Sequence, residues 1–117
     1  MSKKDTVKDK SFDFAVRIVR LYQYLMNEKK EFVLSKQILR SGTSIGANVK
    51  EAIRGQSKPD FYTKMNIALK EASETEYWLD LLYESDYIVS DAYDSIYADC
   101  VEVIKILMSI TKTQKRN

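Results

Sequence analysis

The stretch FYTKMNIALKEASETEYWLDLL, residues 61–82, decides how the rest of the chain reads. Within it Phe61, Met65, Ala68, Ala72, Thr75, Leu79 and Leu82 follow one another at spacings of 4, 3, 4, 3, 4 and 3. That alternation keeps every member on one side of a helix, so a seam held through three heptads predicts a long helix buried along that side. Trp78 and Tyr83 flank the seam and add large apolar area at one end. The residues before it carry the chemistry of a helix start. Gly55 suits the end of a preceding helix, Ser57 an N-cap, Pro59 the first turn and Asp60 the third position of a capping box.

Working toward the C-terminus, residues 85–90 read as a turn, with Ser90 or Asp91 capping a further helix. Tyr93, Ile96, Cys100, Val103, Leu107 and Ile110 repeat at 3, 4, 3, 4 and 3. Working toward the N-terminus, Ser35 is placed to cap a helix whose inward side holds Ile38, Ile45, Val49 and Ala52. Gly42 and Gly46 lie inside it, each costing about 0.5–1 kcal/mol relative to alanine. Four residues apart, they share a face on which a second helix backbone can come close; a kink near Gly42 and an anion-binding glycine loop are the other readings, the last lacking a preceding strand. Lys29, Lys30 and Glu31 read as a short exposed link. The first helix, capped by Ser11, carries the row Phe14, Ile18, Leu21, Leu25 and beside it a second row, Ala15, Val19, Tyr22, Met26. Two rows are wider than one helix contact needs, so the second is either a broad core stripe or a subunit interface.

Four amphipathic helices with short links predict an all-α chain, most simply an antiparallel up-down-up-down four-helix bundle. The expected helices cover about 11–28, 35–54, 58–85 and 91–112. Residues 1–10 are expected to be a flexible tail and 113–117 a basic tail, leaving 11–112 as the bundle.

Composition bounds the chemistry. With 117 residues, 44% of them hydrophobic and 31% charged, the chain has the size of one folded domain. No apolar run is long enough to span a bilayer, and Met1-Ser2-Lys3-Lys4-Asp5 lacks the apolar core of a signal peptide. The single cysteine, Cys100, has no partner for an internal disulfide, which fits a reducing cytoplasm. There is no histidine, which removes the commonest general base and the commonest zinc ligand together. The net charge of +2 conceals an uneven distribution. Residues 33–70 hold seven Lys/Arg against two acids, whereas residues 71–102 hold ten acids and no Lys or Arg.

The motif Ser41-Gly42-Thr43-Ser44-Ile45-Gly46-Ala47-Asn48-Val49-Lys50-Glu51-Ala52 resembles a signature of the bacterial four-helix bundle proteins, also called the 23S rRNA-intervening-sequence protein family. Phe61-Tyr62 and Ile67 through Leu79 resemble its second signature, and Phe12-Asp13-Phe14-Ala15 with Ile18 its opening. Together these cover roughly residues 11–110. The resemblance implies a bundle assembled as a ring-like homopentamer. It also implies kinship with the accessory protein of diversity-generating retroelements, which binds nucleic acid and a reverse transcriptase. It supplies no established activity, cofactor or metal.

Candidate residues follow from charge and spacing. Lys36, Arg40, Lys50, Arg54 and Lys58 form the densest basic stretch, Lys36 and Arg40 one turn apart, as are Lys50, Arg54 and Lys58 if the helix extends that far, suited to a phosphate backbone and repeated in every subunit of a ring; Arg17 and Arg20 are candidates to join them. The bland alternative is a solvated polar face. Asn48 reads as a register-setting residue or a ligand. Glu51 is read as a partner of Arg54 on its own helix or as an inter-subunit contact, alongside Gly42 and Gly46 as interface or register positions. Glu71, Glu74, Glu76, Asp80 and Glu84 lack the histidines of a di-metal site, and are read as complementing a neighbour's basic helix. Tyr22, Tyr62 and Tyr93 read as core and interface rather than as stacking platforms for bases, and Cys100 as packing rather than as a nucleophile. The expectation is a non-enzymatic homo-oligomeric binding or scaffold protein for RNA or DNA. The alternative is an adaptor that docks another protein on the acidic surface of helices three and four.

Overall fold

The computed structural model describes the backbone of residues 6–116 and the side chains of residues 6–114. It holds four helices: α1 (Val7–Asn27), α2 (Leu34–Ile53), α3 (Lys58–Glu84) and α4 (Ser90–Arg116), with no strand among the described residues. The outermost residues of the two expected tails, 1–5 and 117, lie outside the described residues.

Each boundary has a local cause. α1 starts earlier than the expected Ser11 cap, because Thr6 accepts the Asp9 N–H at 3.1 Å and donates its own hydroxyl to the Asp9 carboxylate at 2.8 Å. A cap and an acid in the first turn outweigh the polarity of the stretch, so residues 7–10 are helical rather than tail. Ser11 is instead a buried residue of the second turn, its hydroxyl on the Lys8 carbonyl at 3.1 Å. α3 begins as expected, with the Ser57 hydroxyl accepting the Asp60 N–H and Pro59 in the first turn. It ends at Glu84; two residues on, Asp86 takes the left-handed conformation at φ 69° while the Asp86 and Tyr87 N–H groups close on the Tyr83 and Leu82 carbonyls. α4 continues through Arg116, so most of the expected basic tail is a helical end.

The link between α1 and α2 departs most from expectation. Glu31 is buried, not exposed. Its carboxylate accepts the N–H groups of Val33, Leu34 and Ser35 at 3.2, 3.0 and 2.7 Å, filling the cap that Val33 has no side chain to provide. Its own N–H closes on Leu25 O at 2.9 Å, so one residue finishes α1 and starts α2. Ser35 is the second residue of α2 rather than its cap.

The helix packing is that of a bundle: α2 rests on α1 and α3, α4 on α3, and a thinner seam joins α4 to α1. The core follows the read spacings closely, with Ile18, Ile38, Ile45, Leu79, Cys100 and Leu107 fully enclosed. The end positions shift by one, so that Tyr62 and Thr111 are buried where Phe61 and Ile110 are only partly covered. α2 runs unbroken through its glycines. A Cβ on Gly42 would stand 2.7 Å from Ile18 Cγ1, whereas one on Gly46 would make ordinary contact, 3.4 Å from the Ser11 carbonyl oxygen. Between α2 and α3 the Ser41 and Thr75 hydroxyls meet at 2.9 Å, both fully buried. The second row of α1 stays outside the core: Val19 is exposed, as are Phe12 and Val16 beside it.

Candidate nucleic-acid interface

Lys36, Arg40, Lys50 and Arg54 all lie on the solvent face of α2, exposed and opposite the buried Ile38, Ile45 and Val49. At 1.5 Å per residue the row from Lys36 to Arg54 runs about 27 Å along the helix. The small Thr43 and Ala47 fill its middle, so no bulky side chain interrupts it.

The structure divides this row. Arg40 is committed within the chain: its guanidinium reaches Glu71 at 3.2 Å and Glu74 at 2.6 Å across the α2–α3 seam. Trp78 Nε1 donates to the same Glu74 oxygen at 3.0 Å. These two hydrogen bonds, the indole's first and the guanidinium's second, hold the Glu74 carboxyl below its ordinary range, and the bond to Glu74 holds Arg40 above its own. Lys36, Lys50, Arg54 and Lys58 make no ion pair with a described residue.

Lys50 and Arg54 meet at an open hollow where α2 turns into α3, its walls completed by Glu51, Gln56, Asp60 and Lys64. Lys58, the first residue of α3, follows directly on that turn. Glu51 pairs with Lys64 at 2.9 Å instead of with Arg54. That bond raises the Lys64 ammonium above its ordinary range. Asp60 is tucked beneath Gly55, where a Cβ would collide with its carboxylate. The hollow thus holds three cations against two carboxylates, and those lacking an ion-pair partner among the described residues are Lys50 and Arg54.

The other candidate positions fall elsewhere. Gly42 and Gly46 face α1 within the chain. Asn48 is half-buried, and its amide donates to Ser44 O at 2.9 Å on its own helix. Arg17 pairs with Asp99 of α4 at 2.7 Å, and Arg20 lies with it on the flank of α1 turned toward α4. Neither joins the α2 row.

The profile of the family described as 23S rRNA-intervening sequence protein matches residues 3–109, nearly the whole bundle. The chain belongs to that family. Among solved structures it is similar to a protein with unknown function from the S23 ribosomal protein family of Bacteroides thetaiotaomicron, determined at 1.70 Å resolution. The two share 64% identity over 92% of this chain and 99% of the other, with a TM-score of 0.90. No curated protein matches the chain.

In this 23S rRNA-intervening sequence family member the acidic half is largely engaged internally. Of the ten carboxylates in residues 71–102, six have partners on another helix. Glu71 and Glu74 hold Arg40, Asp99 holds Arg17, and Glu102 holds Lys10 at 3.0 Å. Glu76 accepts the Tyr97 hydroxyl at 2.7 Å and Asp80 that of Tyr93 at 2.6 Å. Those bonds favour the neutral phenols, pushing Tyr97 up to about 12 and Tyr93 further. Tyr93 stacks on Tyr83 with centroids 4.2 Å apart, so Tyr93 spends its face and hydroxyl, and Tyr97 its hydroxyl, on the α3–α4 seam. Glu84, Asp86, Asp91 and Asp94, around the α3–α4 turn, have no such partner among the described residues. The cross-helix pairs were beyond sequence reasoning: Glu51 and Lys64, or Arg40 and Glu74, are neighbours only once two helices are in register.

Proposed function

We propose that this family member is a non-enzymatic, self-assembling bundle that binds nucleic acid by its phosphate backbone. The observation that carries this reading is the pairing pattern. The fold neutralises Arg40, Arg17, Lys10 and Lys64 with its own carboxylates, and the cations without an ion-pair partner among the described residues include four gathered along the outer face of α2 and the turn after it, Lys36, Lys50, Arg54 and Lys58. Unpaired, solvated cations in a row are what counterion release from a polyanion requires.

The assembly is an antiparallel up-down-up-down bundle repeated as a homopentamer. The bundle order is supported by pairs whose numbers run in opposite directions: Lys10 with Glu102 and Arg17 with Asp99, Arg40 with Glu74 and Glu51 with Lys64, Asn66 with Gln114 and Tyr97 with Glu76. Self-assembly is supported by the exposed apolar row Phe12, Val16 and Val19, and it multiplies a modest basic face by the number of subunits. The non-enzymatic part is supported by Cys100, a nucleophile by type, whose burial in the core pushes its thiol up to about 12. A cytoplasmic setting, where such a thiol stays reduced, belongs to the same reading.

The test is the solution mass by light scattering with a mixed RNA and DNA pool, at low and at high salt. The expected result is a pentamer that gains mass with nucleic acid at low salt and loses it at high salt. Replacing Lys50 and Arg54 together by glutamate weakens the complex on all sequences and lowers the slope of log affinity against log salt by about two. A complex indifferent to salt and to both substitutions overturns the phosphate reading, and a monomer overturns the assembly.

A second reading rests on Glu84, Asp86, Asp91 and Asp94: docking of a basic protein surface at the α3–α4 turn, without nucleic acid. Loss of partner binding on Asp91→Lys with Asp94→Lys, with nucleic acid ignored throughout, selects it.

A further inference from the structure

The seam between α1 and α4 closes with charge along one half and opens along the other. Lys10 pairs with Glu102 and Arg17 with Asp99, and beyond Arg17 the ladder stops. Arg20 is the next cation on that flank of α1, exposed and without a partner among the described residues. The α4 residues that share its surroundings are Ala92 and Ile96, neither of which carries a charge. Between them lies a hollow of about 380 Å³.

Its walls are apolar and mostly firm: Ile88 and Ile96 are buried core residues and Leu21 is half-covered. Tyr24 and Val89 stand exposed at its lip. The hollow therefore offers a wall of aliphatic groups and, beside it, two guanidiniums. One is held in place by Asp99 and the other is uncommitted. A guanidinium fork matches a carboxylate in shape and charge, and aliphatic walls match a medium-length acyl chain. The volume sits at the lower end of the range that small-molecule sites occupy.

We infer that the hollow between α1 and α4 is a binding site for a medium-chain apolar monocarboxylate, its acyl chain lying against Leu21, Ile88 and Ile96 and its carboxylate on Arg20. Arg17, neutralised by Asp99, lines the site beside it and leaves Arg20 as the one uncommitted cation among the lining residues. Tyr24 supplies a phenolic donor at the lip. The site shares no residue with the α2 face and stands or falls independently of nucleic-acid binding.

The experiment is calorimetric titration of the full chain with sodium octanoate and, separately, with 1-octanol. Octanoate is expected to bind saturably at one site per chain, and more tightly than octanol. Arg20→Gln is expected to weaken octanoate on the order of tenfold and leave octanol unchanged, since it removes only the charged contact. Ala92→Trp fills the hollow and is expected to abolish both. Arg20→Gln alters an exposed side chain, so it reports on binding even if the tryptophan variant does not fold. The inference is overturned by an absence of saturable octanoate binding, by equal binding of octanol, or by octanoate binding that survives Arg20→Gln. It is also overturned if Ala92→Trp lowers the mass of the assembly in light scattering, which makes a second copy the occupant.

Discussion

The two sides of α1 are built differently. Toward α2 the helices touch through missing side chains: Gly42 admits Ile18, Gly46 lies against the Ser11 backbone, and Glu31 knots the two helix ends together. Toward α4 they touch through long charged side chains, Lys10 and Arg17 reaching to Glu102 and Asp99, and then part around the apolar hollow. Close approach leaves no room for adjustment and concentrates dispersion and hydrogen bonding. Exposed ion pairs tolerate adjustment and contribute little. One helix thus has a face that sets geometry and a face left free for binding.

The comparison can be broken most severely at Glu31. Glu31→Ala leaves three N–H groups of α2 without their acceptor, two of them in a half-buried or buried residue. It is expected to cost about 2 kcal/mol in urea unfolding. A cost within error of zero means water replaces the carboxylate and the joint is not what holds α1 to α2.

Next comes Gly42. A methyl there must displace the branched carbons of a buried isoleucine, so Gly42→Ala is expected to destabilise by about 1–2 kcal/mol net of its helix-propensity gain. Pairing it with Ile18→Ala, which removes the Cγ1 and Cγ2 atoms that the methyl would strike, should cost less than the sum of the two single losses. Gly46→Ala sharpens the contrast by changing sign: its methyl meets ordinary contact distances, so the variant is expected to gain up to about 0.5–1 kcal/mol. Equal effects at the two glycines remove the distinction between them.

On the α4 side Arg17→Gln is expected to cost less than about 1 kcal/mol, since both partners of the ion pair are more than a third exposed. A larger loss makes the two faces of α1 alike.

The smallest expected effect lies on the third seam, between α3 and α4, at high pH. Folding raises the Tyr93 and Tyr97 phenols above their ordinary value of 10.0 through hydrogen bonds to Asp80 and Glu76. A raised group lends stability that is complete below its unfolded value and fades as the pH climbs through the folded one. Unfolding midpoints should therefore hold up to about pH 10 and decline toward 12, with the phenolate absorbance of two tyrosines delayed in step. Titration of all tyrosines near 10 shows these bonds to be absent in solution.

The long-range periodicities were legible because burial repeats. Met65 through Leu82 of the α3 row, Ile96 through Leu107 of the α4 row, and Ile38, Ile45, Val49 and Ala52 of α2 are core residues as their spacing predicts, while the end members Phe61, Tyr93 and Ile110 are only partly covered. Caps were legible where cap chemistry stood against a clear apolar pattern, as at Ser57. They were missed where it did not. Thr6 with Asp9 is a cap and acid pair inside a lysine-rich stretch that reads as tail, and Glu31 caps α2 from a position where no rule of helix starts looks for a carboxylate. In the candidate site, the basic row was legible as a helix face. Which of its members are free was not. Arg40 and Lys50 look alike in sequence, and only the register of α3 beside α2 sets Glu71 and Glu74 opposite the first and leaves the second facing solvent.

Glu31 has one more consequence, for where this chain can be cut or lengthened. Its N–H ends one helix and its carboxylate begins the next, so any residue inserted between Leu25 and Ser35 moves one half of that clasp away from the other. The 54–57 turn carries no comparable clasp: Gln56 and Ser57 are exposed, and its cap serves α3 alone. New termini, a tag or a reporter domain belong at that turn, and the α1–α2 corner should pass between relatives with its length unchanged.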